Sequence, residues 1–184
     1  MAAFEPLKVK IDDSGIKKLL EMGRRAGSLE PAFRLIGETV RTSMVKNFEV
    51  GGRYSEPGSP KGGNKKWKPL AIATLYSGRK KKNVLNKKGG YRKGMSPDEI
   101  RERRKILIKS GLLMSSLTYI PSNGGVVIGS NRDYAAIQNF GGKAGRGRKI
   151  TIPARPFLVV QNEDWREINL ELTDYILRGV LHAR

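Results

Sequence analysis

The chain has 184 residues, enough to bury one hydrophobic core, and its 36 basic and 17 acidic side chains give a net charge of +19. It has no cysteine, which excludes a disulfide framework and a thiolate nucleophile and favours a reducing compartment. No apolar run approaches the roughly 20 residues of a membrane-spanning helix, and the first residues do not resemble a signal peptide. We therefore expect one soluble domain over residues 1–184, without membrane contact.

The positive charge is concentrated in two stretches. Residues 53–109 carry eighteen basic and four acidic side chains, and residues 143–160 carry five basic side chains and no acidic one. Such concentration favours a nucleic-acid neighbour, through phosphate neutralisation and counterion release, over a mobile loop that only aids solubility. The candidate residues facing DNA or another polyanion are Arg79, Lys80, Lys81, Lys82, Lys87, Lys88, Arg92, Lys93, Lys143, Arg146, Arg148 and Lys149.

The first third of the chain predicts one strand and two helices. Alternation of apolar and basic residues predicts a strand over residues 6–11, and capping residues 12–14 precede a short amphipathic helix around Leu19. Ser28 is the expected cap of a longer helix over residues 29–48, which Gly51-Gly52 ends. Apolar residues at helical spacing give this helix one buried face: Leu29, Phe33, Ile36, Val40, Met44 and Phe48.

Residues 53–95 read as a long basic insertion rich in Gly, Pro and Lys, with no periodicity. Trp67 is its one anchor and is expected to pack on the domain. Tyr76 and Tyr91 can stack on bases or make ordinary loop contacts, and the second role is favoured.

Ser96-Pro97-Asp98-Glu99 has the pattern of a helix start with a capping box. Ile100 and Leu107 supply a modest apolar face for this helix. The acidic residues of its first turns, Asp98, Glu99 and Glu102, complement the helix dipole, which we favour over an acid/base or metal site.

Residues 106–158 hold the remaining sheet. Ser110 is the expected cap of a short helix, and residues 117–121 and 125–130 form a hairpin around a Gly-containing turn. A helical segment from Tyr134 to Phe140 ends at Gly141-Gly142. A strand over residues 148–153 ends at prolines and leads to a corner in which Phe157 and Leu158 are buried.

The last helix covers residues 162–178, with the apolar stripe Trp165, Ile168, Leu172, Tyr175 and Ile176. The predicted fold class is α+β: a small, mostly antiparallel sheet of residues 6–11, 117–121, 125–130 and 148–153, with two main amphipathic helices packed on it and a long basic loop.

The sequence offers no enzyme chemistry. His182 is the single histidine, too few for a zinc site and poorly placed for a catalytic triad. The glycine-rich residues 141–147 lack the Gly-Lys-Ser/Thr of a P-loop. Two alternatives stay open for them: their backbone amides contact phosphates, or they form a flexible hairpin tip. We predict no catalytic residue, no metal and no cofactor.

An ordered set of short motifs resembles the phage virion morphogenesis (tail-completion) family. The resemblance covers most of residues 30–175, and its motifs are Met44–Phe48, Trp67–Leu70 with Thr74, Leu107–Leu113, Val126–Ser130, Tyr134–Gly142 and Ile152–Leu158. It implies a compact ring subunit of the tail-terminator or neck type.

In that role the protein joins the tail to a DNA-filled head. The implied partners are further copies in a homo-oligomeric ring, other neck proteins (head-completion or connector, tail-terminator or tail-tube) and double-stranded DNA. The implied locations are the virion neck and, during assembly, the host cytoplasm. The alternative, from charge alone, is a sequence-independent nucleic-acid-binding protein; a toxin-like nuclease has little support.

Overall fold

The structure is a computed structural model that describes residues 7–10, 16, 17, 19, 20, 23 and 27–178. Its architecture is α+β with two small antiparallel sheets and several helices, so the predicted α+β class is confirmed. In chain order the elements are β1 (Leu7–Lys10), α1 (Glu30–Val50), α2 (Ile72–Leu75), α3 (Lys81–Val84), α4 (Pro97–Arg103), α5 (Leu112–Ser115), β2 (Leu117–Ser122), β3 (Gly125–Ser130), α6 (Ala135–Phe140), β4 (Gly142–Ala144), a 3-10 turn (Arg146–Arg148), β5 (Ile150–Ile152) and α7 (Asn162–Arg178).

The main sheet has three antiparallel strands in the order β1-β3-β2. Strands β2 and β3 form the predicted hairpin, and Leu7 of β1 pairs with Ser130 of β3. Helix α1 lies across this sheet. A Cβ on Gly37 would come within 2.3 Å of the Tyr119 ring, so the small residue lets the helix approach β2 closely. The strands predicted at residues 117–121 and 125–130 are confirmed, and the strand predicted at 6–11 is confirmed over its described residues, 7–10.

The fourth predicted strand belongs to a different sheet. Residues 148–153 were assigned to the main sheet, but β5 pairs with β4 in a separate two-stranded hairpin, with Gly142 opposite Ile152. Gly141 and Gly142 have φ values of 76° and 155°, and they turn the chain directly after α6. Because β4 is then the nearest partner in sequence, β5 satisfies its backbone locally, and this part of the prediction was wrong.

The main core lies between α1, the three-stranded sheet, α7 and residues 157–160. Every residue of the predicted α1 stripe is buried, as are Ile168 and Leu172 of α7, while the rest of the α7 stripe is half-buried against the core. Phe48, Trp67 and Phe157 form an aromatic cluster with ring centroids 5.5 and 5.3 Å apart. The Trp67 indole donates to the Pro156 carbonyl at 2.8 Å. The predicted burial of Trp67, Phe157 and Leu158 is confirmed.

The starts of α4 and α1 show where a neighbouring residue in sequence correctly predicted the helix cap and where it did not. At α4 the capping box is confirmed: the Glu99 N–H donates to Ser96 Oγ at 3.4 Å, and the Ser96 N–H donates to the Glu99 carboxylate at 3.0 Å. At α1 the Ser28 cap was wrong. Asn123, in the β2–β3 turn, accepts the Glu30 N–H at 3.1 Å and the Ser28 hydroxyl at 2.9 Å.

Two smaller predictions were also wrong. Gly111, with φ 70°, occupies the N-cap of α5 in place of Ser110, and no side chain caps that helix. Helix α4 ends at Arg103, so Leu107, which has φ 63°, lies outside it. For the short N-terminal helix, Leu19 and its described neighbours are helical, but the predicted cap at 12–14 lies outside the described residues, as does His182.

Candidate polyanion-facing surface

The basic segment 79–93 is folded, although no periodicity predicted it. Helices α2 and α3 each have four residues and bury Leu75 and Val84; these, with Ile100 of α4, are buried outside the main core. Small satellite clusters of this kind commonly support long loops. The rings of Tyr76 and Tyr91 stack on each other, with centroids 6.1 Å apart at an interplanar angle of 10°. The favoured loop-contact role of these tyrosines is therefore what the structure shows.

A tight turn presents the middle of this segment. The Asn86 side chain accepts the N–H groups of Lys88 and Gly90 at 2.9 and 3.0 Å, and the Asn86 N–H donates to the Gly90 carbonyl at 2.8 Å. Asparagine commonly closes turns in this way. Lys87 and Lys88 lie on this turn, and both side chains are exposed.

The candidate cations of residues 79–93 have no acidic neighbour in sequence and none in space among the described contacts. All those with described side chains are exposed: Arg79, Lys80, Lys87, Lys88, Arg92 and Lys93. Lys81 and Lys82 lie in the first turn of α3. In the described part of the chain, the ion pairs join Glu30 to Arg34, Glu38 to Arg41, Glu163 to Arg53 and Asp98 to Arg101, all outside this segment. Its positive charge is therefore uncompensated within the described fold.

The second cluster of candidate cations lies on the β4–β5 hairpin. Lys143 is on β4, Arg146 and Arg148 are in the 3-10 turn, and Lys149 precedes β5; all four are exposed. Gly145 and Gly147, with φ of 80° and 70°, shape the tip. The glycine-rich stretch is thus a hairpin tip, and contact of its amides with phosphate stays a prediction.

Arg155 is a cation that the sequence argument counted but did not single out. Arg155 is 7% exposed, and its side-chain Nε donates to the Lys68 carbonyl at 3.3 Å. Its backbone N–H donates to the Gln138 carbonyl at 2.8 Å. Burial lowers the pKa of its guanidinium, and no carboxylate pairs with it in the described structure. Arg155 ties residue 68 to the corner before α7, a link that only the folded chain reveals.

An acidic cleft of about 340 Å³ lies between α1 and α7. Its lining includes five carboxylates and one lysine: Glu38, Glu163, Asp164, Glu167, Glu171 and Lys46. Residues 161–184 are slightly acidic in sequence, but only the folded chain shows that acidic residues of α7 face Glu38 of α1. This cleft is therefore a second surface of note, opposite in sign to the basic segments.

A partly buried polar network closes one end of the cleft. The Arg53 guanidinium donates to Asn47 Oδ1 at 3.0 Å, to the Ser43 carbonyl at 3.1 Å and to the Glu163 carboxylate. Asp164 Oδ2 accepts the Gln161 N–H at 2.8 Å at the start of α7, and burial raises the pKa of this carboxyl group. The network fixes the ends of both helices, so the cleft has a defined shape.

Among the described residues, no group of three or more His, Cys, Asp or Glu side chains is arranged to hold a metal ion. Within the same residues, every helix is too short or too polar to cross a membrane.

The profile of the phage virion morphogenesis family matches residues 11–177. The chain belongs to this family. A curated relative, "Mu-like prophage FluMu G protein 2" of Haemophilus influenzae strain Rd, is 34% identical over 145 residues, which are 79% of this chain and 76% of the relative. No solved structure matches the chain. The predicted family is thus confirmed, and the protein acts in phage virion assembly as a structural component.

Proposed function

We propose that this protein completes the phage tail and joins it to the DNA-filled head, as a homo-oligomeric ring around the DNA channel of the neck. Membership of the virion morphogenesis family across residues 11–177 carries this proposal. Its partners are then further copies, the head-completion or connector protein, and the tail-terminator or tail-tube protein. It resides in the host cytoplasm during assembly and in the virion neck afterwards. Residues 1–184 act as one domain that carries the long basic insertion at about 53–95.

The distribution of charge supports a position beside DNA. Residues 79–93 hold eight basic side chains and no acid, and the described ones are exposed and unpaired. The half-buried Tyr76 hydroxyl donates to the Met95 carbonyl at 2.7 Å and holds the segment to the start of α4. Like charges held together repel one another, and phosphates along a channel relieve that repulsion. We therefore place this segment toward the DNA path.

The assembly role is tested with phage that lack the protein. We expect DNA-filled heads and separate tails, with few infectious particles, in lysates from such phage. Purified heads and tails should join when the protein is added back. Empty heads would point instead to a role in DNA packaging, and normal titres would exclude any essential role in assembly.

The DNA-facing role is tested by replacing Lys80, Lys81 and Lys82 with Glu. Duplex binding should weaken, and the slope of log affinity against log salt should fall by about 2.7 if each lysine neutralises one phosphate. Virion yield should fall as well, while the unfolding midpoint stays near that of the parent because no core residue changes. The matched control reverses three exposed lysines of other segments, Lys65, Lys105 and Lys109. Equal duplex binding and yield by the parent and the Lys80–Lys82 variant would contradict the DNA-facing role.

A second candidate function, sequence-independent nucleic-acid binding, is favoured by the net charge of +19. The two functions differ in a simple observation. A neck protein assembles into rings or co-purifies with heads and tails, whereas a nucleic-acid-binding protein binds duplex tightly as a monomer. Electron microscopy of the purified protein distinguishes them.

A further inference from the structure

The β4–β5 hairpin is an arm with little support from its own domain. Its two strands have three residues each, and their main packing is with each other and with the 3-10 turn between them. An isolated two-stranded hairpin is at best marginally stable in water. This one also leaves Ile150 62% exposed beside its four cations. Such an arm is expected to gain a partner that covers an apolar residue and accepts positive charge.

The α1–α7 cleft has the complementary properties. Five carboxylates line it against one lysine, and Leu170 at its edge is 63% exposed. Two of the five carboxylates, Glu38 and Glu163, are ion-paired with Arg41 and Arg53, so the cleft keeps an excess of acidic over basic side chains.

We propose that the β4–β5 hairpin of one copy docks into the α1–α7 cleft of a second copy, its Arg and Lys side chains meeting the carboxylates and Ile150 packing near Leu170. This inference rests on the proposed ring, for which it names the two contacting surfaces. No hairpin residue lines the cleft of its own chain, so the two surfaces are separate. A contact between two different surfaces repeats from copy to copy and closes a ring when the rotation allows.

Charge decides between a second copy and other occupants. A nucleic acid would be repelled by the carboxylates of the cleft, although the rest of the chain attracts it. A cationic segment with an apolar residue fits, and the chain carries that combination on an arm that its own core leaves uncovered. Every copy in an assembly brings both surfaces at equal stoichiometry.

Reciprocal charge reversal in the full-length protein tests the proposal. The arm variant carries Arg146→Glu with Lys149→Glu, the cleft variant carries Glu167→Lys with Glu171→Lys, and the control carries Lys87→Glu with Lys88→Glu, the same charge change as the arm variant in the other basic stretch. Sedimentation velocity over a concentration series, at low and high salt, measures self-association. Far-ultraviolet circular dichroism and the thermal midpoint establish that each variant is folded.

We expect the wild type and the control to associate alike, more weakly at high salt. The arm and cleft variants should each associate at least about tenfold more weakly, because like charges then face each other at the contact. An equimolar mixture of these two variants should recover association, since each reversed surface meets its opposite.

Three results would overturn the inference: a wild type that stays monomeric throughout, arm or cleft variants that associate as the wild type does, or a mixture that shows no recovery. Failure here is distinct from failure of the proposed function. If the wild type still joins heads to tails in the add-back assay, the role in assembly stands and only these surfaces are excluded. If add-back fails while the mixture recovers association, the two contacting surfaces stand and the proposed role in assembly is excluded.

Discussion

Replacement of Asn139 by Ala tests how the corner before α7 is held. Asn139 is 3% exposed, and its Oδ1 accepts the N–H groups of Phe157 and Leu158 at 2.9 and 3.1 Å. These two residues lie between β5 and α7, outside any strand or helix whose backbone carbonyls could accept their amides. Alanine would leave two buried N–H donors without an acceptor.

The expected loss of folding free energy follows from the two unsatisfied N–H donors. A buried donor left unsatisfied costs about 1–3 kcal/mol, so two cost about 2–6 kcal/mol before relaxation. Because partial entry of water lowers the cost, we expect about 3 kcal/mol. This is a large share of the 5–15 kcal/mol typical of a folded domain.

Equilibrium unfolding in urea measures the effect, through a lower midpoint at an unchanged m value. The matched control is Asn123→Ala, which removes an asparagine that also accepts two hydrogen bonds, from Ser28 and Glu30, but at an exposed helix start. Capping losses of that kind cost about 1 kcal/mol. Equal destabilisation by the two substitutions would refute the view that Asn139 holds a buried corner.

Three further predictions concern stability. Phe157→Ala should lower the free energy of unfolding by about 3–5 kcal/mol, because a fully buried ring is lost; a urea midpoint that hardly moves would contradict a core role. Gly37→Ala should destabilise by about 1–3 kcal/mol despite the better helix propensity of alanine, because its Cβ meets the Tyr119 ring; a stabilised variant would contradict this packing. Burial raises the pKa of Asp164, so the native state binds the proton more tightly than the unfolded state. Wild-type stability relative to Asp164→Asn should therefore fall as pH rises above the ordinary value of 3.8; paired unfolding curves from acid to neutral pH check this, and a pH-independent difference would contradict it.

Features that depend on sequence neighbours were predictable. The apolar residues from Leu29 to Phe48 recur at helical spacing, which predicts one buried face, and each residue of this stripe is buried. The Ser96–Glu99 capping box needs only four consecutive residues. The β2–β3 hairpin needs only two β-prone runs and a turn. Each of these signals is complete within one continuous stretch of sequence.

Features that depend on distant partners were not predictable. The cap of α1 comes from Asn123, about ninety residues away in sequence, so the nearby Ser28 was a misleading signal. Arg155 lies in a motif whose prolines and Phe157 indicate a corner, but only its contact with residue 68 shows that the cation is buried. The acidic cleft requires α1 and α7 to lie side by side, and their sequences are balanced or only slightly acidic. The α1 cap, the buried Arg155 and the acidic cleft all depend on residues that meet only in the folded chain, and composition does not specify such contacts.

The two basic stretches look alike in composition, but the fold holds them differently. Buried Leu75 and Val84 and the Tyr76–Tyr91 stack brace residues 79–93, whereas the β4–β5 hairpin packs mainly on itself. Like charges that the fold holds close together repel one another at all times. They therefore suit a partner with regularly spaced phosphates, such as the DNA of the proposed neck channel. The β4–β5 hairpin packs mainly on itself, so it can change position at little cost in free energy. It therefore suits a partner that it meets during assembly. The braced segment is therefore the better candidate for the DNA path, and the hairpin is the better candidate for the contact between copies.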